Sequence, residues 1–268
     1  IFYQKKLIIF ILRYWEKEKE KSYFMKDKFL ILDANSILHR SFYALPPLST
    51  KKGIKTNAIY GFLLIFLKLK RELNPKYVCA CFDFPGKTFR HQKFKDYKIL
   101  RPPTPQDLKF QIDKVKEILP VFNIPIFEKE GYEADDLIAT ISKRSSNVLK
   151  IIATGDRDLF QIVDRETKIY FLQKGIKQSV LIDEEKIKKS FSFISPEQII
   201  DFKALVGDPS DNIPGVTGIG EKTAIFLISR FKNLENLYRE IEKIKENPST
   251  IKQKVIKELL NSKEKVFF

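Results

Sequence analysis

Histidine and cysteine are scarce, with two of each among the 268 residues. His39 and His91 are too few and too widely separated to build a zinc site. Cys79 and Cys81 lie two apart in the apolar run Tyr77–Phe82. That spacing puts them on one face of a strand, where they read as buried core and not as ligands. So few cysteines give no disulfide framework, and a reducing cytoplasm is the expected location. Long apolar runs are missing too. Leu7–Leu12 falls far short of the roughly 20 residues a membrane span needs, and no small-residue cleavage site follows it. There are no repeats, and no low-complexity segment beyond the Glu/Lys run at 16–21. Acid is in short supply: 34 Asp and Glu against 49 Lys and Arg leave a formal charge of +15. Such an excess points to a polyanionic partner, of which nucleic acid is the commonest large one. A solubilising surface charge would give the same composition.

A hydrophobic content of 43% with 13% aromatics describes a folded chain, long enough for one large or two modest domains. Met25 is the only methionine, and the strand-like run Phe29–Leu32 begins just after it. Residues 1–24 are therefore read as an upstream extension outside the fold. Further buried-strand runs occur at Tyr77–Phe82, Ile124–Phe127 and Leu149–Ala153, separated by amphipathic stretches such as Ala58–Leu73 and Leu108–Leu119. Strands alternating with helices predict an α/β domain with a mainly parallel sheet over residues 25–182. From Ser195 the pattern changes. Ser195-Pro196-Glu197-Gln198 reads as a capped helix start, and the residues beyond it are helical in period except for the glycine-rich turn Gly215–Gly220. Residues 183–268 are expected to form a small all-helical domain.

Between the second strand and the helix near Leu108 lies a basic stretch, residues 86–101. Lys87, Arg90, Lys93, Lys95, Lys98 and Arg101 alternate there with Phe89, Phe94 and Tyr97, with Asp96 the one acid. Prolines at 102, 103 and 105 close it. Its plainer reading is a solvated amphipathic helix.

The placement of the acids is more informative. Asp33 ends the first strand, Asp83 ends the second, and Asp156 with Asp158 follows the strand Leu149–Ala153. Open α/β sheets bind ligands outside the carboxyl ends of their strands, so three strands deliver acids to one edge. Glu133, Asp135 and Asp136 open an apolar helix, where the dipole favours anions. Yet Glu133 and Asp136 are helical neighbours that repel, and three acids in four residues exceed what capping needs. Asp208 and Asp211 precede the glycine-rich turn; taken alone, they are also ordinary turn chemistry. Converging carboxylates raise one another's pKa and call for cations. Oxygen-only ligands suit Mg²⁺ or Mn²⁺. On a basic protein, such a site reads as two-metal phosphodiester hydrolysis.

Three blocks carry a resemblance: Gly131-Tyr132-Glu133-Ala134-Asp135-Asp136, Thr154-Gly155-Asp156-Arg157-Asp158, and Gly207-Asp208-Pro209-Ser210-Asp211-Asn212 leading to Gly218-Ile219-Gly220-Glu221-Lys222-Thr223. In this order and spacing they resemble the flap endonuclease and polymerase I 5′-nuclease family from about Phe29 to beyond Phe231. The resemblance implies a PIN-like (resolvase-like) nuclease core and a helix-hairpin-helix (H3TH) domain. It also implies metal ligands, direct or through water, at Asp33, Asp83, Glu133, Asp135, Asp136, Asp156, Asp158, Asp208 and Asp211. Lys98 and Arg101, three apart and so read on one helical face, resemble the pair that grips the scissile phosphate. Arg40 and Arg90 are implied as further phosphate contacts, and residues 86–101 as the clamp that passes a single-stranded 5′ end. Gly218, Gly220 and Lys222 would hold a duplex backbone without reading its sequence, with a K⁺ ion on the hairpin carbonyls.

Two departures stand out: His39 takes the place of a stacking tyrosine, and Ile99-Leu100 lies between the basic pair. The apolar ending Lys265–Phe268 is read as that of a fragment, with a polymerase domain once following. The implied activity is Mg²⁺- or Mn²⁺-dependent cleavage of 5′ flaps, nicked or branched duplexes and RNA primers, by a monomer. Two alternatives remain. A PIN-type ribonuclease would prefer single-stranded RNA to flapped DNA, and a non-catalytic duplex-binding module would not cleave in Mg²⁺.

Overall fold

The computed structural model describes residues 26–173, 178–190, 194–246 (side chains of 242–246 excepted) and 251–267. The expected extension at 1–24 lies outside the described residues. Strand β1 (Lys28–Asp33) passes into the helix Ala34–Ala44 with no linker. The Asp33 carboxylate makes that junction by accepting from the Ser36 amide at 3.1 Å, satisfying a donor that the first helical turn would leave unpaired.

Among the described residues, β1 joins β2 (Tyr77–Cys81), β3 (Ile126–Phe127), β4 (Leu149–Thr154), β5 (Thr167–Leu172) and β6 (Ser179–Ile182) in one sheet of order β3-β2-β1-β4-β5-β6. All neighbouring pairs are parallel except β5 with β6. The chain steps outward from β1 to β2 and β3, then returns to the other side of β1 as β4. The gap between β1 and β4 is therefore a topological switch point, where such sheets hold ligands. The α/β reading of the sequence agrees with this architecture, and β5 and β6 are strands it did not name.

The pleat sends alternate residues to opposite faces. Leu30 and Leu32 enter one core with Phe62 and Phe66 of the helix Asn57–Leu73 and with Leu108 and Val115 of the helix Gln106–Ile118. Ile31, Cys79, Cys81 and Ile152 enter the other core, beneath the helix Ala134–Arg144. Both cysteines are free and buried there, as their spacing suggests. This second core continues into the helical region through Leu205, Val216, Leu227, Leu237 and Leu259. The two expected domains therefore share one packed interior.

The helical region begins as read. Gln198 accepts from the Ser195 amide at 3.0 Å, a short 3₁₀ turn Pro196–Gln198 comes next, and the helix Ile199–Val206 continues it. It goes on with the helices Glu221–Phe231, Leu234–Glu246 and Gln253–Asn261. Between the helices Ile199–Val206 and Glu221–Phe231 the chain folds back tightly. Gly207, at φ +84°, lies so close to Gly215 that a Cβ would sit 2.3 Å from the Gly215 nitrogen. Only glycine fits that crossing, and the crossing holds the Asp208–Asp211 turn in place.

Candidate active site

Each acid reaches the sheet edge by a different local device. At the switch point, Asp33 on β1 faces Thr154 at the end of β4, whose hydroxyl donates to its carboxylate at 2.6 Å. Beside it, the Gly155 amide donates to Ser36 at 2.9 Å, and the Asp158 amide to Asp156 at 2.8 Å. On the other side, Asp83 accepts from the Ala134 amide at 2.8 Å, so it sits against the positive end of the helix Ala134–Arg144. Asp208 accepts from the Ser210 amide and hydroxyl at 2.9 and 2.6 Å, which shapes its turn.

These groups interact electrostatically. Asp33 is only 3% exposed, and burial, with Asp83 and Asp156 adding to it, pushes its carboxyl up to about 7 against the bonds from Thr154 and Ser36. Burial also raises Asp135 well above the ordinary carboxylate range, reinforced by the charges of Asp33, Asp156, Asp83 and Asp158. Asp158 is raised by burial and by Asp156, against the pull of Lys203. Mutual destabilisation of this kind is what cations relieve. The donors are all oxygens, so the set fits Mg²⁺ or Mn²⁺. Among the described residues no three acidic, histidine or cysteine side chains stand grouped closely enough to hold a metal ion as they lie.

The remaining acids are held by the protein's own cations. Arg90 grips Asp136 with two hydrogen bonds of 2.7 and 2.8 Å, while Asp136 also accepts from the Glu133 amide at 3.0 Å. Lys98 donates to Glu133 at 2.8 Å, and Arg101 pairs with Asp211. The Tyr97 hydroxyl lies 3.1 Å from both Glu133 and Asp211, and one proton can serve one of them at a time. Burial and the two acids push that phenol up. Lys203 bridges Asp158 and Asp208, the second at 2.8 Å. Burial works to raise Asp208, but Lys203 and Ser210 hold it down at about 2.

The basic stretch departs from the helical reading. Only Phe89–Lys93 is helical, and Lys98 has φ +56°, so Lys98 and Arg101 do not share a helix face. They meet the site because their loop is tied across it. The Lys98 amide donates to the Asp211 carbonyl at 3.0 Å, and the Asn212 side chain to the Asp96 carbonyl at 3.0 Å. Ile99 and Leu100 project into solvent at 62% and 72% exposure.

Arg40 donates to the Gln173 carbonyl at 2.6 Å, and its buried Nε has no partner among the described residues. It packs so closely on Gly155 that a Cβ there would meet Nε at 2.6 Å. With Arg101, Arg157, Lys203, Asp156, Asp158 and Asp208 it walls a cavity of about 680 Å³. A smaller hollow of about 450 Å³ is lined by His39, Arg40 and Tyr43. Burial lowers His39, with Asp83 opposing and Arg101 reinforcing, which favours the neutral ring. At the hairpin, Gly218 has φ +78° and open space beside it, whereas Gly220 has ordinary backbone and precedes the helix Glu221–Phe231. Lys222 is exposed in that helix's first turn. Lys203, Tyr97 and Thr154 are members of the site that the sequence reading did not assign to it.

The model for a 5′-3′ exonuclease N-terminal resolvase-like domain matches residues 28–192, and that for a 5′-3′ exonuclease C-terminal SAM fold matches residues 194–268. A 5′-3′ exonuclease of Aquifex aeolicus is 44% identical over 215 residues, 80% of this chain and 73% of its own. DNA polymerase I of Caldicellulosiruptor bescii is 44% identical over 232 residues, 85% of this chain but 27% of its own. The chain thus spans about a quarter of the polymerase relatives. Among solved structures, the T5 D15 protein co-crystallised with metal ions superposes with a TM-score of 0.71 at 22% identity, over 90% of this chain and 86% of that one. The catalytic core of Rad2 in complex with DNA substrate superposes at 0.54 and 24% identity, over 90% of this chain and 75% of that one.

Proposed function

The chain belongs to the 5′-3′ exonuclease family, and on that premise we propose that it is a structure-specific 5′-nuclease that hydrolyses phosphodiesters at 5′ flaps, nicks and branched duplexes, RNA primers included. One observation carries the chemistry. Acids from β1, the loop after β2, the loop after β4 and the start of the helix Ala134–Arg144 meet at the switch point, where Asp135 feels the charges of Asp33, Asp83, Asp156 and Asp158. Those five, with Glu133, Asp136, Asp208 and Asp211 directly or through water, would hold two or more Mg²⁺ or Mn²⁺ ions. When bound, such ions supply an activated water and neutralise the charge that develops on the phosphate.

The protein's own groups supply positioning. Lys98 and Arg101 already lie at the carboxylates and can turn to the scissile phosphate, where fixed cations favour the more highly charged transition state. Arg40, on the cavity wall, and Arg90 would add phosphate contacts. Gly218, Gly220 and Lys222, at a helix start, suit a sequence-independent grip on a duplex backbone, with K⁺ on the hairpin carbonyls. His39, kept neutral by burial, offers a ring for an unpaired base. The chain would act as a monomer.

Asp135→Ala and Asp156→Ala test the assignment. Each should abolish cleavage of a 5′-flap duplex in Mg²⁺ while leaving duplex binding in gel shift unchanged. Full activity in both variants would refute the site.

A further inference from the structure

Lys203 stands apart from the other cations of the site. Arg90, Lys98 and Arg101 approach from the basic stretch 86–101 and pair with Asp136, Glu133 and Asp211. Lys203 instead rises from the helix Ile199–Val206, within the region that shares the core. Its ammonium sits between two carboxylates from separate segments, Asp158 after β4 and Asp208 at the folded-back turn. Asp208 is held further by Ser210, and Asp158 faces Asp156. Arg101 and Arg157 share the surrounding cavity. The ammonium therefore occupies the space between two carboxylates of the kind that would hold a divalent ion.

We infer that Lys203 is a built-in counter-ion for the Asp158–Asp208 end of the site. It holds these acids in register before metal loading, and it would have to give way for them to hold a divalent ion. This rests on the metal-dependent nuclease reading. The geometry has two consequences. Without metal, Lys203 offsets repulsion between Asp158 and Asp208, so the site is assembled in advance. With metal, the ammonium would be released from both acids at the wall of the cavity it shares with Arg40 and Arg101, where a phosphate would meet it. Lys203 is on this account a positioning residue: it lowers affinity for free metal and couples metal binding to substrate binding.

Mn²⁺ binding to the full chain, measured by calorimetry and by electron paramagnetic resonance of free Mn²⁺, tests this without reference to turnover. Lys203→Met should bind the more weakly held Mn²⁺ about tenfold more tightly than wild type, a coupling within the usual range. The same variant should bind 5′-flap duplex more weakly in Ca²⁺, by about threefold or more. Lys203→Arg keeps the charge and offers a fork to both acids, so its Mn²⁺ affinity should equal or fall below that of wild type. It tests the claim even if Lys203→Met folds poorly, which unfolding in EDTA would reveal. Equal Mn²⁺ affinity in wild type and Lys203→Met, or tighter binding by Lys203→Arg, would overturn the counter-ion role alone. Absence of Mn²⁺ binding in wild type and variants together would overturn the metal reading with it.

Discussion

Replacing Asp33 with asparagine should stabilise the metal-free protein in proportion to pH. The carboxyl is buried and carried from 3.8 to about 7 on folding. A group whose folded pKa is raised takes up a proton on folding. Its contribution is complete below about 3.8 and is lost as pH rises through about 7. At about 1.36 kcal/mol per pH unit this amounts to about 4 kcal/mol at alkaline pH, and to roughly half of that once neighbouring aspartates and water rearrange. Asparagine caps a helix as well as aspartate does, so the bond from Ser36 survives. The Thr154 bond is weakened, at a pH-independent cost of about 1 kcal/mol. The informative quantity is therefore the slope. Urea unfolding in EDTA at pH 5, 6, 7 and 8 should show the stability difference, variant minus wild type, growing by roughly 1–3 kcal/mol across the series. Millimolar Mg²⁺ should abolish or reverse the wild-type slope and change that of the variant less, since Asp135 and Asp158 remain raised in it. A difference equal at pH 5 and pH 8 would refute the placement of Asp33 in a repulsive, buried cluster.

The packing sets three further outcomes. Gly207→Ala would force a Cβ to 2.3 Å from the Gly215 nitrogen at φ +84°; it should cost about 2 kcal/mol or more and, by moving Asp208 and Asp211, lower cleavage beyond the loss of folded protein. Leu227→Ala removes a fully buried side chain from the core common to sheet and helices. It should cost about 2–5 kcal/mol and shift one calorimetric transition, whereas two separate transitions would contradict a shared interior. Arg90→Lys should lose about 1 kcal/mol of stability, because an ammonium cannot reproduce the two bonds to Asp136, and Arg90→Ala should lose more.

Much of this molecule was legible in the sequence because strand, turn and cap chemistry is local. Asp33 and Asp156 mark strand ends, and Glu133 marks a helix start, in patterns a few residues long. The first four strands and the helical region after Ser195 rest on the same local signals. What sequence reasoning missed depends on contacts between distant segments. Lys203 looks like a solvated helical lysine until Asp158, 45 residues away, is brought against it. Tyr97 reads as one aromatic among several, yet its partners lie 36 and 114 residues further on. The helical-face reading of Lys98 and Arg101 failed because a three-residue spacing means proximity only on helical backbone. Lys98 adopts φ +56°, and the pair converges because its loop is tied to Asp211 and Asn212. Strand β5 (Thr167–Leu172) is apolar and β-branched at every position but Lys168, with no acid at its end to draw notice.

The central claim, a metal-dependent nuclease directed to a 5′ end at a junction, is tested most directly by one assay. A 5′-flap DNA duplex labelled at its 5′ end is incubated with the protein in EDTA and in Mg²⁺, beside a single-stranded RNA of the same length. Release of the labelled flap by cleavage near the junction, in Mg²⁺ alone and ahead of the RNA, is the predicted result. Cleavage of the RNA in preference to the flap, or no cleavage with Mg²⁺ or Mn²⁺, would contradict it.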